Sequence, residues 1–286
     1  MFDSIAQQVP DQHIEYRHQR ISIKRLDLIH PQISGNKFFK LKYNLLAARQ
    51  QGFEKVLTFG GAYSNHIAAT AFASHKFGFQ SLGMIRGEEL AQRPFNPTLA
   101  TAQQFGMQLE FISRNAYRQK DQPDFLQRLQ QQYPDFYLIP EGGTNALAVQ
   151  GCREILTAED AQFDLICCAV GTGGTFAGLI EASQQHQQLL GFSALKGDFL
   201  THEVAQLTTK RNWRILDNYC CGGYAKTTPE LIQFIQTFEQ RYNIPLEQVY
   251  TGKMLRGIFD LIDQDKIGPD QKILLIHTGG LQGRAF

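Results

Sequence analysis

Leu165-Ile166-Cys167-Cys168-Ala169-Val170 runs directly into Gly171-Thr172-Gly173-Gly174-Thr175, and the reading of this junction decides the fold. Six apolar residues without a polar alternate describe a strand buried on both faces, the habit of parallel sheets. The three glycines form a tight turn, and the residues up to Ser183 have a helical pattern. The unit is therefore strand, glycine turn, helix. Working outward in both directions, the same rhythm recurs at least five times. Strands are expected at 21–28, 56–59, 80–85, 108–113, 136–139, 189–192, 213–216 and 272–276. Helices are expected at 41–51, 65–76, 97–105, 117–132, 145–156, 199–207, 229–242 and 252–263. Such alternation predicts an α/β fold: mostly parallel sheets with helices on both faces.

The composition excludes several function classes. Lys+Arg 28 against Asp+Glu 27 leaves no basic field for nucleic acid or an anionic membrane. The start, Met1-Phe2-Asp3-Ser4-Ile5-Ala6-Gln7-Gln8, lacks a basic segment and an apolar core, and the longest apolar runs are too short to span a bilayer. Five cysteines, including the vicinal pairs Cys167-Cys168 and Cys220-Cys221, fit neither a disulfide framework nor a zinc spacing, and no metal is expected. The expectation is a cytoplasmic protein with buried thiols.

In parallel sheets, ligands sit outside the carboxyl ends of the strands. Small and polar residues gather at four such ends: 60–65, 141–145, 171–175 and 277–280. The first three lead into helix N-termini, which favour anions. The 171–175 loop lacks the Gly-Lys-Ser/Thr of a P-loop and the sixth-position glycine of a dinucleotide fingerprint. No suitably placed acidic residue follows it to hold a ribose, so an NAD site is weakly supported. It fits either a tight strand-to-helix turn or a neutral phosphate cradle. Ser34-Gly35-Asn36-Lys37-Phe38-Phe39-Lys40 places a lysine between an early strand and a helix. On spacing alone, Lys37 is either a Schiff-base lysine or the first solvated residue of that helix. Combined with a Ser64-Asn65 helix cap and the glycine loops, it describes a bound phosphate carrying an aldehyde, which is pyridoxal phosphate chemistry.

Six ordered motifs then carry a resemblance. Lys24-Arg25-Leu26-Asp27-Leu28, Gly35-Asn36-Lys37-Phe38-Phe39-Lys40-Leu41, Gly60-Gly61-Ala62-Tyr63-Ser64-Asn65, Pro140-Glu141-Gly142-Gly143-Thr144-Asn145-Ala146-Leu147, Val249-Tyr250-Thr251-Gly252-Lys253 and Ile276-His277-Thr278-Gly279-Gly280 resemble the 1-aminocyclopropane-1-carboxylate deaminase/D-cysteine desulfhydrase family. That family belongs to the tryptophan-synthase-beta-like (fold type II) pyridoxal phosphate enzymes. The resemblance implies a two-lobe fold, with 1–40 and 145–286 forming a large cofactor domain and 41–144 a small mobile one. It also implies a homodimer acting on a small amino acid.

Residue by residue, it implies that Lys37 bonds the cofactor aldehyde. Lys40 and Gly171, Thr172, Gly173, Gly174 and Thr175 would hold the phosphate, and Asn65 would contact the ring hydroxyl. Ser64 would face the substrate and move protons, with Asn65 and His66 near its carboxylate. Tyr250 would lie beside the ring as a further catalytic and substrate contact. Members that open the cyclopropane ring resemble Tyr-Glu-Gly-Lys and His-Leu-Gly-Gly at the last two motifs, whereas desulfhydrase-like members carry small polar residues there. Thr251 and Thr278 occupy those positions here and would also touch the cofactor. A threonine leaves the ring nitrogen largely neutral, which suits loss of a β-leaving group such as thiolate. The implied reaction is β-elimination from D-cysteine to pyruvate, sulfide and ammonia. Within the fold the alternatives are aminocyclopropane carboxylate deamination or another dehydratase or racemase; outside it, a catalytically silent pyridoxal-phosphate-binding protein.

The chain departs from the family pattern at Phe39, where arginine is usual, and at His66, where glutamine is common. Other readings stay open at single residues. His66 fits a substrate contact or a first-turn helix residue; His277 fits a core histidine better than a base; Tyr63 could line the pocket or pack between lobes; Glu141 orients loop amides.

Overall fold

The computed structural model describes residues 1–284. In chain order its strands and helices are β1 (Asp11–Tyr16), β2 (Gln19–Arg25), α1 (Asn36–Gln50), β3 (Lys55–Gly60), α2 (Asn65–Phe77), β4 (Gln80–Arg86), α3 (Pro97–Gln104), β5 (Gln108–Ile112), α4 (Arg114–Arg118), α5 (Pro123–Gln132) and β6 (Phe136–Ile139). They continue with α6 (Ala146–Cys152), β7 (Leu165–Val170), α7 (Gly174–Ala182), β8 (Gln188–Ser193), α8 (Phe199–Ala205), β9 (Trp213–Leu216), α9 (Pro229–Tyr242), α10 (Thr251–Asp263) and β10 (Ile273–His277).

Two sheets result. The larger has the order β1-β2-β10-β7-β8-β9, and the smaller β5-β4-β3-β6. Every pairing is parallel except β1 with β2. Strands β7 and β10, fully buried along their length, occupy the middle of the large sheet. Apolar layers cover both faces of each sheet: one joins Ile166, Phe176 and Ile276, and the opposite one Cys167, Leu255 and Leu275. Around the small sheet, Phe59 and Met84 pack on one side and Ile67, Ile85 and Leu99 on the other. The mostly parallel α/β architecture is therefore as the residue pattern requires. Among the described residues, no helix is long and apolar enough to cross a membrane.

Two sequence expectations need correction. The helix expected at 117–132 is two helices, because Pro123 cannot continue α4 and instead opens α5 at its first turn. Strand 21–28 stops at Arg25, and Leu26–Leu28 forms a 3-10 turn that starts the descent to Lys37. Strand β1 lacked a sequence signal because it is a polar edge strand in which only Ile14 is buried. Helix α1 runs unbroken across residue 40.

Candidate active site

Gly35 fixes where the first lysine goes. Its φ is +69°, and a Cβ there would lie 1.9 Å from the Thr278 carbonyl oxygen. Only glycine lets the loop lie on the end of β10, where the Asn36 N–H donates to that carbonyl at 3.2 Å. Helix α1 starts at once, so Lys37 and Lys40, three apart, share a face. Their Nζ atoms lie 3.4 and 2.7 Å from the Gly142 carbonyl oxygen, in the loop after β6. Lys40 also donates to Thr144 Oγ1 at 2.7 Å and Thr172 Oγ1 at 3.2 Å, and is only 1% exposed. Among the described residues neither lysine pairs with a carboxylate. Burial lowers the Lys37 ammonium to about 8. Burial and then the Lys37 charge push Lys40 well below the ordinary lysine range.

The glycine loop completes the cup. Thr172 and Thr144 hydroxyls meet at 2.5 Å, tying the β7 loop of the large sheet to the β6 loop of the small one. A Cβ at Gly174 would lie 2.9 Å from Thr144 Cγ2 and 3.2 Å from Lys40 Cε, so a side chain there would fill the cup. Asn36 Nδ2 donates to Thr175 Oγ1 at 2.8 Å, docking α1 on the first turn of α7. An ammonium without a carboxylate, rotatable hydroxyls and a helix N-terminus fit a phosphate, and a half-buried primary amine beside them fits an aldehyde. Thr144 is the member of this cup that sequence reasoning did not single out, although it lies in the 141–145 loop expected to favour an anion.

The remaining expected residues divide. Ser64 caps α2, its Oγ accepting from the Ile67 N–H at 3.4 Å, which leaves the hydroxyl proton free. The Asn65 amide lies against Gly280 and its Oδ1 accepts from Gln282, so α2 meets the loop after β10 while Asn65 Nδ2 stays available. His66 turns inward and is 1% exposed. Thr58 gives its proton to the Ile139 carbonyl, so the 2.7 Å contact to His66 Nε2 makes the imidazole the donor. Burial, with the two lysines, keeps this imidazole neutral. Contact with a substrate carboxylate is thus not where the structure puts the His66 side chain; it ties α2 to β3 and β6.

The Tyr250 ring lies against Gly171, where a Cβ would be 3.0 Å from Cε1, and Tyr224 packs edge-on at 6.3 Å. Burial raises the Tyr250 phenol well above its usual range, so it stays protonated. Thr251 is placed differently from the expectation. It is fully buried and its hydroxyl bonds Glu247, accepting from the Glu247 N–H at 3.0 Å and donating to Oε1 at 3.0 Å. Glu247, which sequence reasoning did not single out, also accepts from the Val249, Tyr250 and Thr251 N–H groups. It caps α10, and the Thr251 hydroxyl is committed to that cap rather than to a cofactor.

Thr278 contributes its backbone, as described, beside Gly35. His277 is a satisfied core histidine: Nε2 donates to the Pro245 carbonyl at 2.7 Å and Nδ1 accepts from Gly279 N–H. Tyr63 is 68% exposed, and Phe39 is a core residue packed edge-on against Phe38. Glu141 accepts from Tyr117 and pairs with Lys120, which leaves it no role as a base.

Comparison with known proteins agrees with this geometry. Residues 8–279 match the family described as pyridoxal-phosphate dependent enzyme. A putative 1-aminocyclopropane-1-carboxylate deaminase of Pyrococcus horikoshii is 32% identical, over 92% of this chain and 85% of the relative. The D-cysteine desulfhydrase of Serratia proteamaculans is 28% identical, over 93% and 88%. The crystal structure of an ACC deaminase homologue superimposes with a TM-score of 0.84 at 28% identity, covering 98% of this chain and 91% of that one. The lysine pair, the glycine cup and a family match spanning nearly the whole chain lead to one conclusion: this protein belongs to the pyridoxal-phosphate dependent enzymes.

Proposed function

We propose that this chain is a lyase that eliminates a β-substituent from a small amino acid, with D-cysteine to pyruvate, sulfide and ammonia as the first candidate. The observation that carries it is the lysine pair that, among the described residues, has no acidic partner and faces a neutral cup. Pyridoxal phosphate, when bound, supplies an aldehyde for the substrate amine and a conjugated ring that draws electrons from Cα. Lys40, the Thr144 and Thr172 hydroxyls and the first amides of α7 would hold its phosphate, and Lys37 its aldehyde.

At a pKa of about 8, a useful fraction of Lys37 is the neutral amine near neutral pH. Its Nζ can therefore act as nucleophile and afterwards hold a proton taken from Cα. Ser64 Oγ, which accepts from Ile67, can still donate its proton to a departing or carboxylate group. Tyr250, kept protonated, forms the wall beside Gly171 and can donate as well. The absence of a carboxylate at 251 and 278 supports elimination of thiolate over cyclopropane opening. The relatives named for deamination support the second reading, aminocyclopropane carboxylate deamination.

The small sheet, with Ser64 and Asn65 at its edge, would close on the large one as a mobile lobe and exclude water. The family resemblance also supports a homodimer in the cytoplasm, which sedimentation and cell fractionation would check. The functional test is a substrate panel. Pyruvate release should accompany sulfide release on D-cysteine and exceed release from L-cysteine, D-serine and 1-aminocyclopropane-1-carboxylate. Pyruvate from the cyclopropane acid alone would move the assignment to the second reading. Cofactor binding without a spectral response to any amino acid would instead indicate a silent binding protein.

A further inference from the structure

An amino acid brings a carboxylate into this cleft, and the side chains expected to receive it are largely engaged elsewhere. His66 donates to Thr58, and one end of the Asn65 amide holds Gln282. Lys37 and Lys40 face the Gly142 carbonyl and the threonine hydroxyls. Among the described residues a further cation, Arg86, is the last residue of β4.

Its neighbourhood is specific. In the small sheet Gly60 pairs with Ile85, so Arg86 stands beside the 61–64 turn that delivers Ser64, a turn closed by the Ser64 N–H donating to the Gly61 carbonyl at 3.0 Å. An Arg86 guanidinium nitrogen is 3.8 Å from the point a Gly61 Cβ would occupy. The guanidinium also lies over the Tyr117 ring, its carbon 5.7 Å from the centroid, a contact that leaves its charge unneutralised. The carboxylate that meets Tyr117, that of Glu141, is already taken, one oxygen by the Tyr117 hydroxyl at 2.5 Å and the other by Lys120 at 3.1 Å. Arg86 is exposed and makes no hydrogen bond or ion pair among the described residues. Strand β4 runs parallel to β3, so Arg86 stands at the same carboxyl end of the small sheet as the turn that carries Ser64.

We propose that Arg86 is the positioning residue for the substrate carboxylate, acting with the Ser64 hydroxyl and the free N–H groups at the start of α2. The inference rests on the amino-acid lyase reading above and adds its recognition element. A guanidinium over an aromatic ring beside a helix N-terminus suits binding of a planar carboxylate.

The test uses the holoenzyme, Arg86→Gln and Arg86→Lys, each checked for its visible cofactor band. Whichever of D-cysteine, D-serine and 1-aminocyclopropane-1-carboxylate shifts the wild-type band is titrated alongside its methyl ester, which has no carboxylate charge. Loss of a charge-assisted pair predicts a rise of about 10- to 100-fold in half-saturation for the acid in Arg86→Gln. Arg86→Lys should recover part of that rise, kcat should change by less than about threefold, and the ester should be insensitive to the substitution. An unchanged half-saturation for the acid, or an equal rise for acid and ester, would overturn the assignment. If no amino acid shifts the wild-type band, the lyase reading itself fails and takes this assignment with it.

Discussion

Two groups of cations stand about a dozen residues apart in sequence and have opposite surroundings. On β2, Lys24 is 3.2 Å from Asp11 and 3.1 Å from Asp160, and Arg25 makes a two-point contact with Asp27 at 2.8 and 2.6 Å. At the start of α1, Lys37 and Lys40 are answered, among the described residues, by a carbonyl and two hydroxyls. Lys24, Arg25 and Lys40 are all less than a tenth exposed, so burial alone does not separate the groups. Their partners do. A buried cation matched by a carboxylate is a finished piece of structure, whereas one matched by neutral acceptors is costly until an anion or a carbonyl compound arrives. The first pair anchors the edge of the large sheet, and the second is the cofactor site.

Four substitutions or conditions sharpen this contrast. Lys37→Ala should show the largest effect, a loss of at least about 10³-fold in turnover, because both the cofactor bond and the proton carrier go. Initial-rate assays on the best substrate of the panel measure it, and residual activity within tenfold of wild type would break the contrast. Arg25→Met should leave the Asp27 carboxylate buried with its main partner gone. Urea unfolding of the holoenzyme should then show a loss of about 3–5 kcal/mol, with the cofactor band retained in the folded protein.

The third is a pH dependence in the cofactor-free protein. The folded-state pKa of Lys37 is lowered from 10.5 to about 8, so between these values the unfolded chain binds the extra proton. Stability therefore rises with pH through that window, and the penalty is fully present below about pH 8. Relative to Lys37→Met, the wild type should be weaker by up to about 3 kcal/mol at pH 7 and should draw level near pH 10.5. A difference that is flat with pH would contradict it. Smallest is Lys40→Met, which removes charged hydrogen bonds to the phosphate. Affinity for pyridoxal phosphate should fall by about 10- to 100-fold by absorbance titration, with the fold intact.

The same contrast explains what could be read before the structure was seen. Lys37, Lys40 and the 171–175 loop are local patterns: a lysine after a glycine, and glycines between an apolar strand and a helix. Their chemistry is written in consecutive residues, as is the strand-helix alternation that defines the two sheets. The acidic partners of Lys24 and Arg25, the Thr144–Thr172 contact and the Arg86–Tyr117 stacking join residues far apart in sequence, and no spacing rule reports them. Thr251 shows how a local motif can mislead. At the start of α10 it reads as a residue facing the site, yet Glu247, one turn earlier, claims its hydroxyl for the helix cap. His66 likewise sits in a first helical turn where a ligand contact is expected, and its inward direction depends on Thr58 and Ile139 in two other strands.

The central claim is that Lys37, and not its more deeply buried neighbour, forms the bond to the cofactor. The most direct measurement is borohydride reduction of the holoenzyme, followed by protease digestion and mass spectrometry of the lysine peptides. The pyridoxyl phosphate mass should lie on Lys37 alone. A label on Lys40 or on another lysine, or no label after complete reduction, would contradict the account.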